Sequence, residues 1–332
     1  MLVAAELTER LLRKAVKDDP SLATDAARMA DFTRQAMRSP ETLVKDDADQ
    51  ALLLLEKAVA RAQRDIDDEL DAMYGTAPDA PRKPPSKLPQ THALLSRCIE
   101  CDPHCYDART LDVIIMADTF EQAIEGLSEL EVEARQWCQE RSSLYDDAVA
   151  DPWDAVFMRP YLRMRARRLD LLVQAACYRQ ALNLACEMLD EAPADGQGVR
   201  HTAALLYARL EDEEGLNALD VRYGREGSCW MHIARSVLLY KLGRLDAAKR
   251  ALNGLARLCP GAAFFLASPS YVPPYLPDRP VFKPGSADES LLACYEADFL
   301  VVDTPEFVTW ALQQPNFAEA ADKFGNAHGG EY

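Results

Sequence analysis

The sequence predicts an all-α protein built from successive helical hairpins. Only 14 of its 332 residues are glycine, and Ala, Leu, Glu, Asp and Arg dominate, a composition that favours helices. Apolar residues recur at spacings of three and four over many stretches of 11–17 residues. The breaks between these stretches are short, which is typical of hairpins and not of a closed bundle of long helices.

Residues 1–74 predict an N-terminal helical segment, with helices expected over 2–17, 21–38 and 47–74. Residues 75–90 then contain five prolines, which remove backbone donors and restrict their neighbours. We therefore expect an exposed, polyproline-like linker that no helix crosses. A recognition ligand for an SH3-type domain is the alternative.

Residues 91–265 predict the hairpins themselves. Thr119 and Gln122 form a capping-box pattern that opens one of the helices. The expected helices cover 91–101, 105–117, 119–139, 160–176, 178–191, 198–210, 212–223, 228–242 and 245–258.

Residues 266–332 predict a proline-rich loop followed by a C-terminal helical cap. The stretch 268–286 is too rich in proline to be helical, and we expect it to lie along the last hairpin with Tyr271, Tyr275 and Phe282 as anchors. A partner-binding loop is the alternative for this stretch.

Helices are expected to resume at a second capping box, formed by Ser286 and Glu289. Thr304 and Pro305 provide an N-cap and a first-turn proline for the last helix. The final residues, AHGGEY, are expected to fray.

Two segments of the chain align with each other. They are ACYRQALNLACEMLDEAP, which ends at Pro193, and GRLDAAKRALNGLARLCP, which ends at Pro260. Ala181 and Ala248 occupy the same position in the two segments, and the prolines are 67 residues apart. This distance is close to twice the tetratricopeptide period of about 34 residues. A degenerate unit is expected between them, with Gly215 in place of the alanine.

The aligned residues have a physical role in such a repeat. A small residue lets the two helices of a hairpin approach closely, and a proline after the second helix ends it. Hairpins too small to bury their own apolar faces stack into a superhelix with a concave face. The sequence therefore predicts a tetratricopeptide-like superhelix, and the alternative is a chance match in a helical chain.

Residues 159–200 also carry a resemblance to known proteins. The segment RPYLRMRARRLDLLVQAACYRQALNLACEMLDEAPADGQGVR resembles bacterial tetratricopeptide proteins of unassigned function. Its arginine-proline-tyrosine block and its block 195–200 are similar to blocks of the suppressor-of-tumorigenicity family, although Gly196 departs from the usual asparagine. The likeness extends over roughly 91–312 and includes the downstream PPYLPDRP and PGSADES. It implies an all-helical fold with an interaction role, and no catalytic residues.

Charge and cysteine content limit the partners and the compartment. The 37 basic and 54 acidic residues give a net charge of −17, which argues against a general nucleic-acid or anionic-membrane binder. No apolar run reaches the length of a membrane span, and the N-terminus lacks the order of a signal peptide. The nine cysteines are odd in number and scattered, so we expect a reducing cytoplasm.

One cluster has a spacing that suits a metal. Cys98, Cys101 and Cys105, with His104, bring soft ligands close together in the sequence. A second Cys-x-x-Cys or a matched pair of histidines is missing, and buried cysteines often act as small apolar residues. We expect structural thiols here, with no metal and no cofactor.

The motifs of common enzymes are absent from the sequence. It contains no phosphate-binding glycine loop, no dinucleotide fingerprint, no H-E-x-x-H and no G-x-S-x-G. The prediction is that the protein is not an enzyme.

Basic residues concentrate in one part of the chain. Residues 91–158 hold 15 acidic and 4 basic residues, whereas 159–200 hold 7 basic and 5 acidic ones. Five arginines lie on one predicted helix, including Arg163 and Arg167 on the same side. Two interpretations stay open: internal salt bridges to the acidic helices upstream, or a concave surface that takes a carboxylate-bearing partner.

In tetratricopeptide arrays the first helix of each hairpin lines the concave face. Trp230 and Tyr240 are the expected aromatic anchors, and Arg163 and Lys241 the charges for an acidic partner. The alternative for Trp230 is burial between hairpins. The predicted binding residues are Arg163, Asp170, Gln174, Trp230, Ile233, Tyr240 and Lys241.

These observations predict a cytoplasmic protein–protein interaction scaffold that binds a protein or peptide in a concave groove. Nucleic acid and membrane are not expected partners. The first alternative is a regulatory module that senses a small ligand in the groove. The second is an enzyme whose site the sequence does not disclose.

Overall fold

The structure, a computed structural model, describes residues 2–74, 88–146, 149–270, 272, 275 and 278–328, with side chains except at 2–4 and 67–74. Every regular element in this part of the chain is helical, which confirms the predicted all-α class. The chain divides into two compact units, each of which combines several stretches of the sequence.

The first unit contains the N-terminal helices and the acidic stretch. It also includes residues 191–197 and the described residues of 274–279. Two short 3-10 helices, Pro20–Thr24 and Pro40–Thr42, connect its first elements. Its α-helices are α1 (Leu2–Asp18), α2 (Ala26–Arg38), α3 (Asp47–Tyr74), α4 (Pro89–Cys101), α5 (Tyr106–Met116), α6 (Phe120–Tyr145) and the larger part of α7 (Arg159–Gln174).

Helices from both sides of the proline-rich segment pack together in the first unit. Helix α3 packs on α1 and α4, and Leu7, Leu55 and Leu95 share one core. Residues 75–87 lie outside the described part of the chain, and α4 begins at Pro89, inside the stretch 75–90 that we expected to be a linker. The two helix-rich regions that flank this stretch therefore belong to one unit.

Two predicted helices of the first unit have different bounds in the structure. The helix expected over 21–38 is divided at Asp25, whose side chain accepts hydrogen bonds from the backbone N–H groups of Ala27 and Arg28 and so caps α2. Helix α6 continues past 139 to Tyr145, because no glycine or proline interrupts it before Pro152.

The second unit holds the hairpin repeats and the C-terminal region. The last residues of α7 belong to it. Its further helices are α8 (Tyr178–Glu191), α9 (Val199–Arg209), α10 (Glu213–Arg222), α11 (Cys229–Lys241), α12 (Leu245–Leu258), α13 (Ala262–Ala267), α14 (Ala287–Glu296), α15 (Asp298–Val302), α16 (Pro305–Leu312) and α17 (Pro315–His328).

Three turns in this unit, between α7 and α8, α9 and α10, and α11 and α12, have the same backbone conformation. Ala176, Glu211 and Gly243 have positive φ angles of 57°, 61° and 70°. In each turn the N–H of this residue donates to the carbonyl three residues earlier, and the next N–H donates to the carbonyl five residues before it. These positions lie 35 and 32 residues apart, so the hairpin recurs at a nearly constant period.

The turn geometry fixes the register of the small residues. The fifth residue after each positive-φ position is Ala181, Leu216 or Ala248, and all three are fully buried. The expected burial of Ala181 and Ala248 is confirmed, but the alignment of Gly215 with them is wrong by one residue. Gly215 has a different role, because a Cβ atom there would overlap the ring of Tyr207 on α9.

The C-terminal region begins with irregular chain, and the described residues of 268–286 contain no helix, as predicted. The Oγ of Ser286 accepts a hydrogen bond from the N–H of Glu289 at 3.2 Å and caps α14. Thr304 and Pro305 begin α16, but this helix is not the last one. Pro315 starts α17, because proline cannot continue a helix but fits its first turn.

Packing within the second unit brings the C-terminal helices onto the hairpins. Helix α14 packs on α11, α15 on α9, and α17 on α12 and α13. The C-terminal cap thus contacts first helices as well as second helices. Within the described residues, no helix combines the length and the apolarity needed to cross a membrane.

Candidate functional site

The predicted binding residues are divided between the two units. Arg163 and Asp170 lie in the first unit. The second unit holds Gln174, Trp230, Ile233, Tyr240 and Lys241. The structure therefore gives no single cluster of these seven residues, and each group has its own surroundings.

Arg163 is buried in the first unit and bonds two carboxylates with both sides of its guanidinium group. It donates to both oxygens of Asp107 at 2.8 and 2.6 Å, and to both oxygens of Glu6 at 2.6 and 3.1 Å. Only 5% of its surface is exposed. The expectation that Arg163 lies on an open face is wrong, because its five donors are directed into the core of the unit.

Neighbouring arginines on α7 are also used internally. Arg165 pairs with Glu131 at 3.2 Å and with Glu191, and Arg168 pairs with Glu131. Glu131 belongs to the acidic stretch upstream. The interpretation of internal salt bridges is confirmed for these arginines.

Asp170 has a different position from Arg163. Its carboxylate accepts a hydrogen bond from Arg167 at 3.1 Å within the same helix, and 45% of its side chain is exposed. Asp170 is therefore paired within its own helix and partly exposed on the first unit.

Segments far apart in the sequence contact one another near α7 and in the stretch 191–197. Asp278, from the proline-rich segment, lies 3.7 Å from the Arg163 guanidinium, and Arg279 donates to the carbonyl of Gln197 at 3.3 Å. Gly196 lies against the ring of Trp153, and a Cβ atom there would overlap that ring. These contacts join distant parts of the sequence within the first unit.

The charge cluster shifts the titration of its members. Burial alone would raise the pKa of Glu6, but the positive charges of Arg163 and Arg10 outweigh burial and lower this pKa from 4.5 to about 2. For Asp278 burial dominates and raises the pKa above its usual value, although Arg163 opposes the shift. The cluster is thus a set of ion pairs in which Glu6, Asp107 and Asp278 share the Arg163 cation, and Glu6 pairs with Arg10 as well.

Trp230 is fully buried in the second unit. Its indole N–H donates to the carboxylate of Glu296 at 2.7 Å, and its ring lies 4.1 Å from that of His201 and 5.2 Å from that of Phe282. Ile233, one turn further on α11, is also fully buried. The prediction of an exposed anchor is wrong for both residues, whereas the alternative of a packed Trp230 and the anchoring role of Phe282 are confirmed.

Tyr240 and Lys241 lie near the end of α11 and are partly exposed. The Tyr240 ring contacts Phe307 and Trp310 of α16 at centroid distances of 5.5 and 5.0 Å. Lys241 donates to the carbonyls of Ala208 and Arg209 at 3.4 and 2.8 Å, and so neutralises the end of α9. Lys241 therefore has a structural role. Gln174, the last residue of α7, is exposed beside the turn between α7 and α8.

Residues 298–312, which form α15 and α16, cross three successive hairpins, and we call them the C-terminal strap. Its contacts follow the chain in order, because Phe299 stacks on Tyr178 at 5.6 Å, Asp303 pairs with Arg209, and Phe307 meets Tyr240. The strap advances four residues for each hairpin.

The hairpin residues under the strap form a second feature, which we call the docking row: Tyr178, Arg209 and Tyr240. Tyr178 begins the second helix of the first hairpin, whereas Arg209 and Tyr240 lie at the ends of the first helices of the next two hairpins. The Arg209 guanidinium also lies 4.7 Å from the centre of the Tyr178 ring. Sequence reasoning identified only Tyr240, because Tyr178 does not occupy the same repeat position as Arg209 and Tyr240.

A shallow cavity lies between the start of α9, α10 and the start of α11. Arg200 spans one side, where it pairs with Glu226 at 3.1 Å and lies over the Tyr223 ring at 5.3 Å. The Oγ of Ser228 lies 3.4 Å from Nδ1 of His201 on the other side. The cavity is small, and its basic group is already neutralised.

The cysteine cluster belongs to the core of the first unit. Cys98 and Cys105 are buried, and Cys101 is half-buried. Burial raises the pKa of the Cys98 thiol to about 12, which disfavours the thiolate that a metal requires. Among the residues that the structure describes, no three Cys, His, Asp or Glu side chains form a group able to hold a metal ion.

Comparisons of this chain with protein-family models, curated proteins and solved structures find no match. The interpretation of the site therefore depends on its own geometry, and above all on the docking row and the segment that covers it.

Proposed function

We propose that this chain is a protein–protein interaction scaffold of the tetratricopeptide type, which holds a helical segment of a partner across three successive hairpins. The partner is a protein or peptide with aromatic and acidic side chains. We place the scaffold in the cytoplasm, and the nine cysteines, all free thiols, are consistent with a reducing compartment.

One observation carries this proposal. A helical segment, the C-terminal strap, already lies on successive hairpins, with an aromatic, an acidic and an aromatic residue opposite Tyr178, Arg209 and Tyr240. Helices that lay an apolar face into a groove are a common mode of peptide recognition. The same surface chemistry suits a partner helix of this pattern.

Two further features support an interaction role. The hairpins recur with one turn geometry, as in repeat proteins whose extended surfaces bind other proteins. Arg163 and Arg165 of α7 form ion pairs inside the first unit. Arg209, in contrast, forms its ion pair with the strap. An acidic side chain of a partner would meet that cation.

The proposal is tested by photo-crosslinking in the native cell. A photoreactive phenylalanine analogue replaces Gln174, which is exposed beside the first hairpin turn and near Tyr178. We expect a discrete crosslinked protein that is identified by mass spectrometry. The matched control carries the same analogue at Lys249, which is exposed on the second helix of the third hairpin.

The result with the two positions decides the proposal. Crosslinks from Gln174 that are absent from Lys249 would support binding at the first helices. Equal crosslinking at both positions, or none at Gln174, would reject a scaffold that binds through this face.

A further inference from the structure

The C-terminal strap is held by contacts that a similar segment could reproduce. Phe299 and Trp310 keep part of their surfaces exposed, so their rings lie at the edge of the interface and not in its centre. The side chains of Arg209 and Asp303 are 28% and 40% exposed. Exposed ion pairs and ring contacts of this kind are individually weak.

Two residues anchor the strap more deeply. Leu300 and Phe307 are fully buried, one in each helix of the strap. Between them the helical conformation is interrupted at Asp303 and Thr304. The strap thus has the form of a bound peptide, with two buried anchors and a polar residue between them.

We infer that the C-terminal strap is an intramolecular occupant of the docking row, and that a partner protein binds by replacing it. The partner segment would present an aromatic residue, an acidic residue four positions later and a second aromatic four positions after that. This inference rests on the proposed function and adds to it the chemistry of the partner and a mechanism of autoinhibition.

The test uses the full-length protein and a synthetic peptide of residues 296–314 with a fluorescent label. The variant Phe299→Ala/Trp310→Ala removes the two edge rings of the strap and keeps both buried anchors. Hydrogen exchange of residues 298–312 should accelerate in this variant, because the strap detaches more often. Fluorescence anisotropy then measures binding of the peptide to the docking row.

The parent protein should bind the peptide at least about tenfold more weakly than the variant, because a strap that is seated for about 90% of the time lowers the apparent affinity tenfold. The matched control is Val302→Ala/Glu306→Ala, which changes two exposed positions of the same strap. This control should bind the peptide as weakly as the parent does.

A charge exchange tests the contact at Arg209. Adding Arg209→Glu to the strap variant should weaken binding of the peptide at least about fivefold, since it places like charges opposite each other. A peptide with Asp303→Arg should restore binding to that protein. This rescue would not occur if Arg209→Glu merely damaged the fold.

Four outcomes would overturn the inference: unchanged exchange of the strap in Phe299→Ala/Trp310→Ala, equal peptide binding by parent and variant, no binding by a variant whose strap is released, and no rescue by the exchanged charge. A stable dimer of the variant, detected by light scattering, would instead assign the row to the strap of a second copy. That result would also overturn the proposal of a foreign partner.

The inference and the proposed function can fail separately. A partner that crosslinks at position 174 equally well in the strap variant and the parent would leave the scaffold in place and reject displacement of the strap. Binding of the peptide as expected, without any cellular crosslink at position 174, would support the strap as an occupant of the docking row and would reject the scaffold.

Discussion

Replacing Arg163 by methionine would leave two buried carboxylates without their shared cation. The guanidinium of Arg163 makes four hydrogen bonds of 2.6–3.1 Å to Glu6 and Asp107. Arg10 still reaches Glu6 at 2.7 Å in such a variant, whereas Asp107 loses both bonds. We expect the free energy of unfolding of the first unit to fall by about 3–5 kcal/mol, the range for removing one partner of a buried ion pair.

The lowered pKa of Glu6 reflects its ion pairs with Arg163 and Arg10 together. Lowering this pKa from 4.5 to about 2 corresponds to roughly 3 kcal/mol of stability at neutral pH. Because the pKa in the folded state is below the unfolded value, this contribution is present above pH 4.5 and is lost as the pH falls towards 2.

The two proteins should therefore differ less in acid. Without Arg163, burial raises the pKa of Glu6, and protonation removes a charge that has lost one of its partners. The difference in stability between Arg163→Met and the parent should be largest at pH 7, and it should shrink as the pH falls through the raised pKa of Glu6 in the variant and on towards 2.

The assay is urea unfolding at pH 7 and in acid, with hydrogen exchange of α1 and α5 as the probe of the first unit, since the two units need not unfold together. The control is Arg167→Met on the same helix, whose ion pair with Asp170 is 18% and 45% exposed. It should cost less than about 1 kcal/mol. Equal losses from the two substitutions, or a loss from Arg163→Met that does not change with pH, would refute the reasoning.

Three further predictions concern packing and cysteine chemistry. Ala248→Leu should overpack the third hairpin and cost about 1–3 kcal/mol in thermal unfolding, whereas Lys249→Leu at the adjacent exposed position should change stability by less than about 0.5 kcal/mol. Gly215→Ala should also cost about 1–3 kcal/mol, because its Cβ overlaps the Tyr207 ring, and an unchanged melting temperature would contradict this contact. Alkylation should modify the half-buried cysteines of the folded protein first, as detected by mass spectrometry, and early modification of the six buried thiols would contradict their burial. Metal analysis should find less than one zinc per chain. The half-buried set is Cys101, Cys177 and Cys186.

Local sequence patterns predicted the hairpin helices closely. All six helices between Arg159 and Leu258 begin and end within two residues of their expected bounds. These helices have clear apolar faces, and the turns between them contain residues that end a helix. Helix α13 was not predicted, because its six residues are too few to show a helical period.

Local sequence patterns could not predict which residues surround the predicted binding residues. Arg163 bonds Glu6 across 157 residues of sequence, and Trp230 bonds Glu296 across 66. A helical period shows which face of a helix is apolar, but it does not show which distant segment covers that face. With 27% of the residues charged, the sequence also offers too many possible ion pairs to identify the real ones.

The break in the strap follows from the spacing of the hairpins. Asp303 lies opposite Arg209 on α9, and Phe307 lies opposite Tyr240 on α11. Four residues of a continuous helix would advance about 6 Å, whereas the axes of packed helices are about 8–10 Å apart. The helix is interrupted within this step, because Thr304 has φ −134° and ψ 59° and so leaves the helical path before Pro305 begins α16. A partner segment with the same aromatic and acidic residues would need a similar break, so an uninterrupted helix would fit only two of the three positions of the docking row.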